Sequence, residues 1–323
     1  MPRFVPILVG LLAAMLSCAS ASAQTFPSKT VKFIVPFGPG SGADLVTRIV
    51  SERLQTRWGK PVIVENRPGA EGMIAINAFL SDNDPHTIIY LPVAMSAAHP
   101  YTQSKLTYDA DRDLMPISSS TSLILCVASP ASLKATTMRE FVDMVRAEPG
   151  KYNVAAAQGS TEFLMSGFLK SRDLQVAKIP YKDILQAPRD LAEGQIQMLM
   201  ASVAIVQPLV QAGKVRIMAV ASPTRASTNP DVPTVKEAGF PELELESLTG
   251  FFGSNNMPVD TRQRIAADIK AVLDGDATIK ERLAATGQTV NVHGPAEFSA
   301  GIRDMRSQLK GIADILGLKA VDR

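Results

Sequence analysis

Two glycine-containing turns carry the strongest chemical signal in this chain. Gly38-Pro39-Gly40-Ser41-Gly42-Ala43-Asp44 follows a β-branched run and opens a stretch of helical length, so the first amides of a new helix stand free at a strand end. Ala156-Ala157-Gln158-Gly159-Ser160-Thr161-Glu162 repeats the arrangement, with Ser160 or Thr161 suited to cap the helix that follows. Free amides and the positive end of a helix dipole attract anions, so each turn is a candidate anion site. A third short polar turn is predicted at Met95 to Ala98, with Ser96 as its polar side chain. Tyr181 combines an apolar ring fit to line a cleft with a hydroxyl able to meet a carboxylate, and equally suits a core position.

Other chemistries find less support. Gly38-x-Gly40-x-x-Ala43 fits a dinucleotide fingerprint, with Glu65 near the place of a ribose-binding acid, and makes a nucleotide-dependent oxidoreductase the alternative. Against it, Asp44 sets a negative charge where a pyrophosphate would approach. No G-K-[ST] triplet and no G-x-S-x-G elbow occurs, and Ser307-x-x-Lys310 falls within an amphipathic helix. His86, His99 and His293 are scattered without metal-ligand spacing, so neither a metal nor a cofactor is expected. Two cysteines make no disulfide scaffold, and Cys126 within Leu123 to Ala128 reads as a buried, inert thiol.

The turns must be held by regular elements, and these alternate. Val31 to Phe37 reads as a buried strand, Asp44 to Trp58 as a helix closed by Gly59, and Pro61 to Glu65 as the next strand of a βαβ unit. Thr87 to Pro92 adds a third strand. Strands are expected again at Ile117 to Ala128, Tyr152 to Ala156, Val176 to Ile179, Ile196 to Ala201 and Val215 to Ala221, with helices between them. This predicts an α/β protein with mainly parallel sheets flanked by helices. The long runs Ile117 to Ala128 and Glu244 to Gly253 are placed to carry the chain to a second lobe and back, forming a hinge. Near the end, Phe298, Ile302, Met305, Leu309, Ile312 and Ile315 form an apolar helical stripe that must dock on folded structure.

Composition sets the class. A net charge of +2 without basic runs, and 6% aromatic residues, exclude a nucleic-acid footprint. Arg3, the apolar run Phe4 to Leu16 and Ala21-Ser22-Ala23 predict a secretory signal over residues 1–23, cleaved near Ala23, which places the mature chain in the periplasm or outside the cell. Cys18 as a lipid-attachment site is the competing interpretation of that segment.

Pro36-Phe37-x-Pro39-Gly40-x-Gly42-x-Asp44, Glu65-Asn66-Arg67-Pro68-Gly69-Ala70, Ile179-Pro180-Tyr181-Lys182, Ala212-Gly213-Lys214-Val215-Arg216 and Asp231-Val232-Pro233-Thr234, in that order, resemble the Bug (TctC-like) periplasmic solute receptors of tripartite tricarboxylate transporters. The likeness runs from about Phe26 to the C-terminus. It implies a type II clamshell that closes on a small carboxylate and delivers it to membrane permease subunits, without catalysis. Lobe 1 would comprise residues 24–122 and 250–323, and lobe 2 residues 123–249. The implied ligand contacts are Phe37, Gly40, Ser41, Gly42, Asp44 and Ser96 from the first lobe, and Gln158, Gly159, Ser160, Thr161 and Tyr181 from the second. A monomer is expected, and a signalling subunit presenting the same closed form is the second alternative. The chain departs from the family pattern at Ala201, where an acidic residue is common, at Asp183 and at Glu162-Phe163. Loss of the acid disfavours an amino acid ligand.

Overall fold

The computed structural model describes residues 26–157, 159–181 and 183–321. The expected signal segment, Cys18, Gln158 and Lys182 lie outside the described residues. Strand β1 (Val31–Val35) is formed, apart from the half-buried Lys32, by β-branched and aromatic residues that are almost wholly buried. It pairs in parallel with β2 (Val62–Asn66) and β3 (Thr87–Pro92). The helix between β1 and β2, α1 (Gly42–Trp58), ends on Gly59 in the left-handed conformation, whose amide closes on the Gln55 carbonyl. Helices α2 (Met73–Asp82) and α3 (Val93–Thr102) flank β3. A short helix α4 (Ala110–Asp113) precedes β4 (Met115–Leu123).

The second sheet is built from β5 (Leu125–Pro130), β6 (Asn153–Ala156), β7 (Ala177–Lys178), β8 (Met198–Ser202) and β9 (Val215–Val220), in the order β7-β6-β8-β5-β9. Its helices are α5 (Met138–Ala147), α6 (Ser160–Ser171), α7 (Ala187–Ala192) and α8 (Val203–Gln211). The capping box of Thr137 and Glu140 starts α5. The chain then returns through β10 (Ser247–Gly253), α9 (Val259–Asp274), α10 (Ala277–Ala284), β11 (Gln288–Val290) and α11 (Pro295–Leu316). The first sheet runs β11-β4-β10-β3-β1-β2.

The result is a two-lobed α/β clamshell. Its parallel pairings sit where βαβ units were expected, at β2-β1-β3 and β7-β6-β8, while the crossover strands pair antiparallel with their neighbours. Each sheet is therefore mixed, because a strand that enters or leaves a lobe directly, without a crossover helix, runs against its partner. The long run expected at Ile117 to Ala128 is divided at Ile124. There the backbone is held from both sides: the Ile124 amide donates to the Gly287 carbonyl at 3.1 Å, and its carbonyl accepts from the Val203 amide at 2.9 Å.

The stripe on α11 docks through Phe298, Ile302, Met305, Leu309 and Ile312, which are buried, but Ile315 is corrected: it is exposed in the last turn of the helix, beyond the contact. It docks on both lobes. One apolar cluster runs from Ile89 and Phe252 through Ile302 and Leu309 to Phe168 and Met200 of the second lobe. Gly167 on α6 allows the close approach, since a Cβ there would stand 2.7 Å from Ile312 Cγ2. Cys126 is buried, and burial pushes its thiol up to about 12, in keeping with an inert core residue. Among the described residues no helix is long and apolar enough to cross a membrane.

Candidate functional site

A cavity of about 350 Å³ lies between the sheets. Phe37 and the length of α3 line one side, Gly159, Ser160, Thr161 and the end of β8 at Ala201 and Ser202 the other, and Leu123, Leu125 and Ser247 line it where the chain crosses between lobes. The two helices meet it differently. The α3 residues in the lining, Met95, Ala98, His99 and Thr102, follow helical spacing, so α3 lies side-on. The α6 lining is the consecutive start of the helix, so α6 points end-on.

Backbone geometry decides which amides are available. Gly159 sits at the cap of α6 with φ 81° and ψ −133°, a conformation open to glycine alone, and supplies no capping side chain. This corrects the expectation that Ser160 or Thr161 caps the helix: both are inside it. The amides of Ser160 and Thr161 have no acceptor among the described residues. Thr161 is 6% exposed and lines the cavity, and its hydroxyl has no hydrogen-bond partner among the described residues. A hydroxyl that opens to the cavity, beside amides with no acceptor among the described residues, is a set of donors prepared for an anion.

The first glycine turn is used differently. Gly40, with φ 84°, directs its amide to Asp44 Oδ2 at 2.9 Å, and Ser41 Oγ accepts from the Asp44 amide. Asp44 also accepts from Arg48 Nε at 3.0 Å and Asn66 Nδ2 at 2.9 Å. Burial opposes its ionisation, but Arg48, the Gly40 amide and Asn66 outweigh burial and hold the carboxyl below its ordinary range. Asn66 also donates to the Phe37 carbonyl, so Asp44 fixes the turn that places Phe37 at the cavity. Gly40, Ser41, Gly42 and Asp44 themselves stand outside the cavity lining. The same arrangement counts against the dinucleotide alternative, because the acid already occupies an amide that a pyrophosphate would need.

Two further expectations are corrected. Ser96 is not in a polar turn: it lies buried within α3, and its hydroxyl donates to the Val93 carbonyl at 3.1 Å. It lines a separate small cavity with Tyr101, Tyr108 and Arg306. The run Met95 to Ala98 is apolar enough to extend the helix over strand β3, which its one serine obscured. Tyr181 also faces a separate cavity, of about 160 Å³, and its hydroxyl donates to Asp190 Oδ2 at 2.6 Å. Burial and then Asp190 raise its pKa above the ordinary tyrosine value.

His99 enters the lining without having been singled out in the sequence. Its Nε2 faces the Glu71 carbonyl at 3.0 Å, an acceptor, so Nε2 carries the proton and Nδ1 accepts from the Tyr108 hydroxyl at 2.8 Å. Burial lowers its pKa despite the Glu71 carbonyl, so the ring is neutral and brings no positive charge to the cavity. The unfolded chain takes up this proton first as pH falls. Stability from neutral His99 is therefore complete above the unfolded value near about 6.5 and is lost as pH drops through the lower folded value. Thermal midpoints measured from pH 7.5 down to 5 should fall, and His99→Gln should flatten that slope; an unchanged slope would refute the assignment.

Two α/β lobes joined by crossing strands, with a ligand-sized cavity between them, define a solute-binding receptor. The chain belongs to the tripartite tricarboxylate transporter receptor family, whose model matches residues 46–318. It is 27% identical to Protein BugT of Bordetella pertussis over 326 residues, covering 99% of each chain. A solved periplasmic transporter is 28% identical, with a TM-score of 0.74 over 90% of this chain and 97% of the other. The Rhodopseudomonas palustris protein Rpa4515, solved with adipate, shares the fold at 22% identity, with a TM-score of 0.76 over 91% and 99% of the two chains.

Proposed function

We propose that this protein is a periplasmic receptor that binds a small organic carboxylate between its lobes and presents it to the membrane subunits of a tripartite transporter, leaving the ligand chemically unchanged. The observation that carries the proposal is the start of α6: Ser160 and Thr161, whose amides and, for Thr161, hydroxyl have no partner among the described residues, line one interlobe cavity. Family membership and the adipate held by a protein of the same fold support the carboxylate class. In this reading Phe37, Gly159, Ser160 and Thr161 touch ligand. Asp44 with Gly40, Ser41 and Gly42 shapes the wall behind Phe37, while Ser96 and Tyr181 act elsewhere.

The lobes are taken as residues 24–122 with 250–323, and 123–249, following an N-terminal signal over residues 1–23. The mature receptor acts as a monomer. Closure follows binding because contacts from both walls exist together only in the closed state. The test is a thermal-shift panel of mono-, di- and tricarboxylates with NADH as control. A saturating carboxylate should raise the midpoint by several degrees, in line with a stabilisation of about 3 kcal/mol at a hundredfold excess over Kd. NADH should have no effect. No response from any carboxylate would contradict the proposal.

A further inference from the structure

We infer that the ligand is a monocarboxylate with an apolar body, bound with its carboxylate on α6 and its hydrocarbon in the remainder of the cavity. This rests on the receptor reading above and narrows it. Four helix starts lie at or near the cavity, and their amides differ in availability. On α3, the N-cap Pro92 has no amide hydrogen to offer, and Val93 and Ala94 stand outside the lining. On α1, Ser41 caps the Asp44 amide and Asp44 takes that of Gly40. On α8, the Ser202 hydroxyl caps the Ala204 amide and the Val203 amide is bound to Ile124. Among the described residues, only α6 meets the cavity end-on with a glycine cap, and only there does a side chain more than nine-tenths buried, Thr161, offer the cavity a hydroxyl with no partner.

Among the described residues the rest of the lining offers a second anionic end no counter-charge. Of its hydroxyls, Thr102 already donates to the Ala98 carbonyl and Ser202 accepts from the Ala204 amide, leaving Ser247 alone. Phe37, Met95, Leu123, Leu125, Ile184 and Ile205 present hydrocarbon. His99 is neutral with both ring nitrogens engaged, and Glu71, the one charged residue of the lining among those described, is itself negative. A free second carboxylate would lose its hydration against these groups without gaining a counter-charge. Apolar surface gains instead, at about fourfold in affinity for each buried methylene.

Calorimetric titration of the mature chain with butyrate, hexanoate, phenylacetate, adipate, malate and citrate decides the matter. Affinity should rise by about fourfold per methylene from butyrate to hexanoate. Phenylacetate should bind in the hexanoate range, and hexanoate should exceed adipate, its equal in carbon number, by at least about tenfold. Adipate, malate or citrate binding as tightly as hexanoate would overturn this inference while leaving the receptor reading intact. No heat from any of the six would overturn the receptor reading and this inference together.

Discussion

Thr161→Val is expected to weaken carboxylate binding by roughly ten- to a hundredfold while leaving the empty protein at least as stable as the parent. A hydrogen bond to a charged group contributes about 1.5–3 kcal/mol, and valine keeps the shape of threonine while removing the donor. In most buried positions that exchange would also destabilise the fold, because a partner would be orphaned. Here the hydroxyl has no partner among the described residues and opens to the cavity, so the exchange orphans no group of the fold in the empty protein. Titration with the tightest carboxylate, paired with a denaturant curve of the unliganded variant, reads both halves. Equal affinity would remove Thr161 from the site, and a large loss of stability would show that its hydroxyl serves the fold.

Gly250→Ala should cost about 3 kcal/mol or more, the largest stability effect expected from a single added methyl group. Gly250 lies in β10 between β3 and β4, opposite Leu91 and Ser119, at the centre of the first sheet. A Cβ there would stand 2.5 Å from the Ser118 carbonyl oxygen and closer still to the ring of Phe298, which is fully buried on α11. The ring could yield, but the carbonyl belongs to a paired strand. Adding Phe298→Leu to the alanine variant should therefore restore only part of the loss, a coupling that urea unfolding of both singles and the double would measure. A cost below about 1 kcal/mol for the single variant would contradict the packing described.

Much of this architecture could be read from residue order. The βαβ unit from Val31 to Glu65 announces itself by a β-branched run, an amphipathic stretch closed by Gly59, and a second apolar run, and each piece folds as read. The α11 stripe was equally legible, because burial on one helix face leaves a regular spacing. Strand direction was not legible: nothing local to Leu125 or Ser247 states that its neighbour runs the opposite way. The turn after β6 folds as the strand-to-helix turn expected, but its cap was misplaced, since Gly159 gives no positive capping signal and the hydroxyls beside it do. Met95, His99, Leu125 and Ile205 were missed because they come from α3, β5 and α8 and share a cavity only after folding. Asp44 shows the converse. Its position in the helix start was plain, and its bonds to Gly40 and Arg48 are local, whereas its bond to Asn66 depends on β2 arriving alongside.

The long final helix has a mechanical consequence. Two strand crossings alone would leave the halves free to twist as well as swing, like a door on a single cord. With α11 seated against α3 on one side and α6 on the other, and Gly167 in contact with Ile312, a third fastening lies away from the line of the first two. A third contact off the line of the crossings resists twisting about either strand, so any parting of the jaws must slide or flex this helix against one of them.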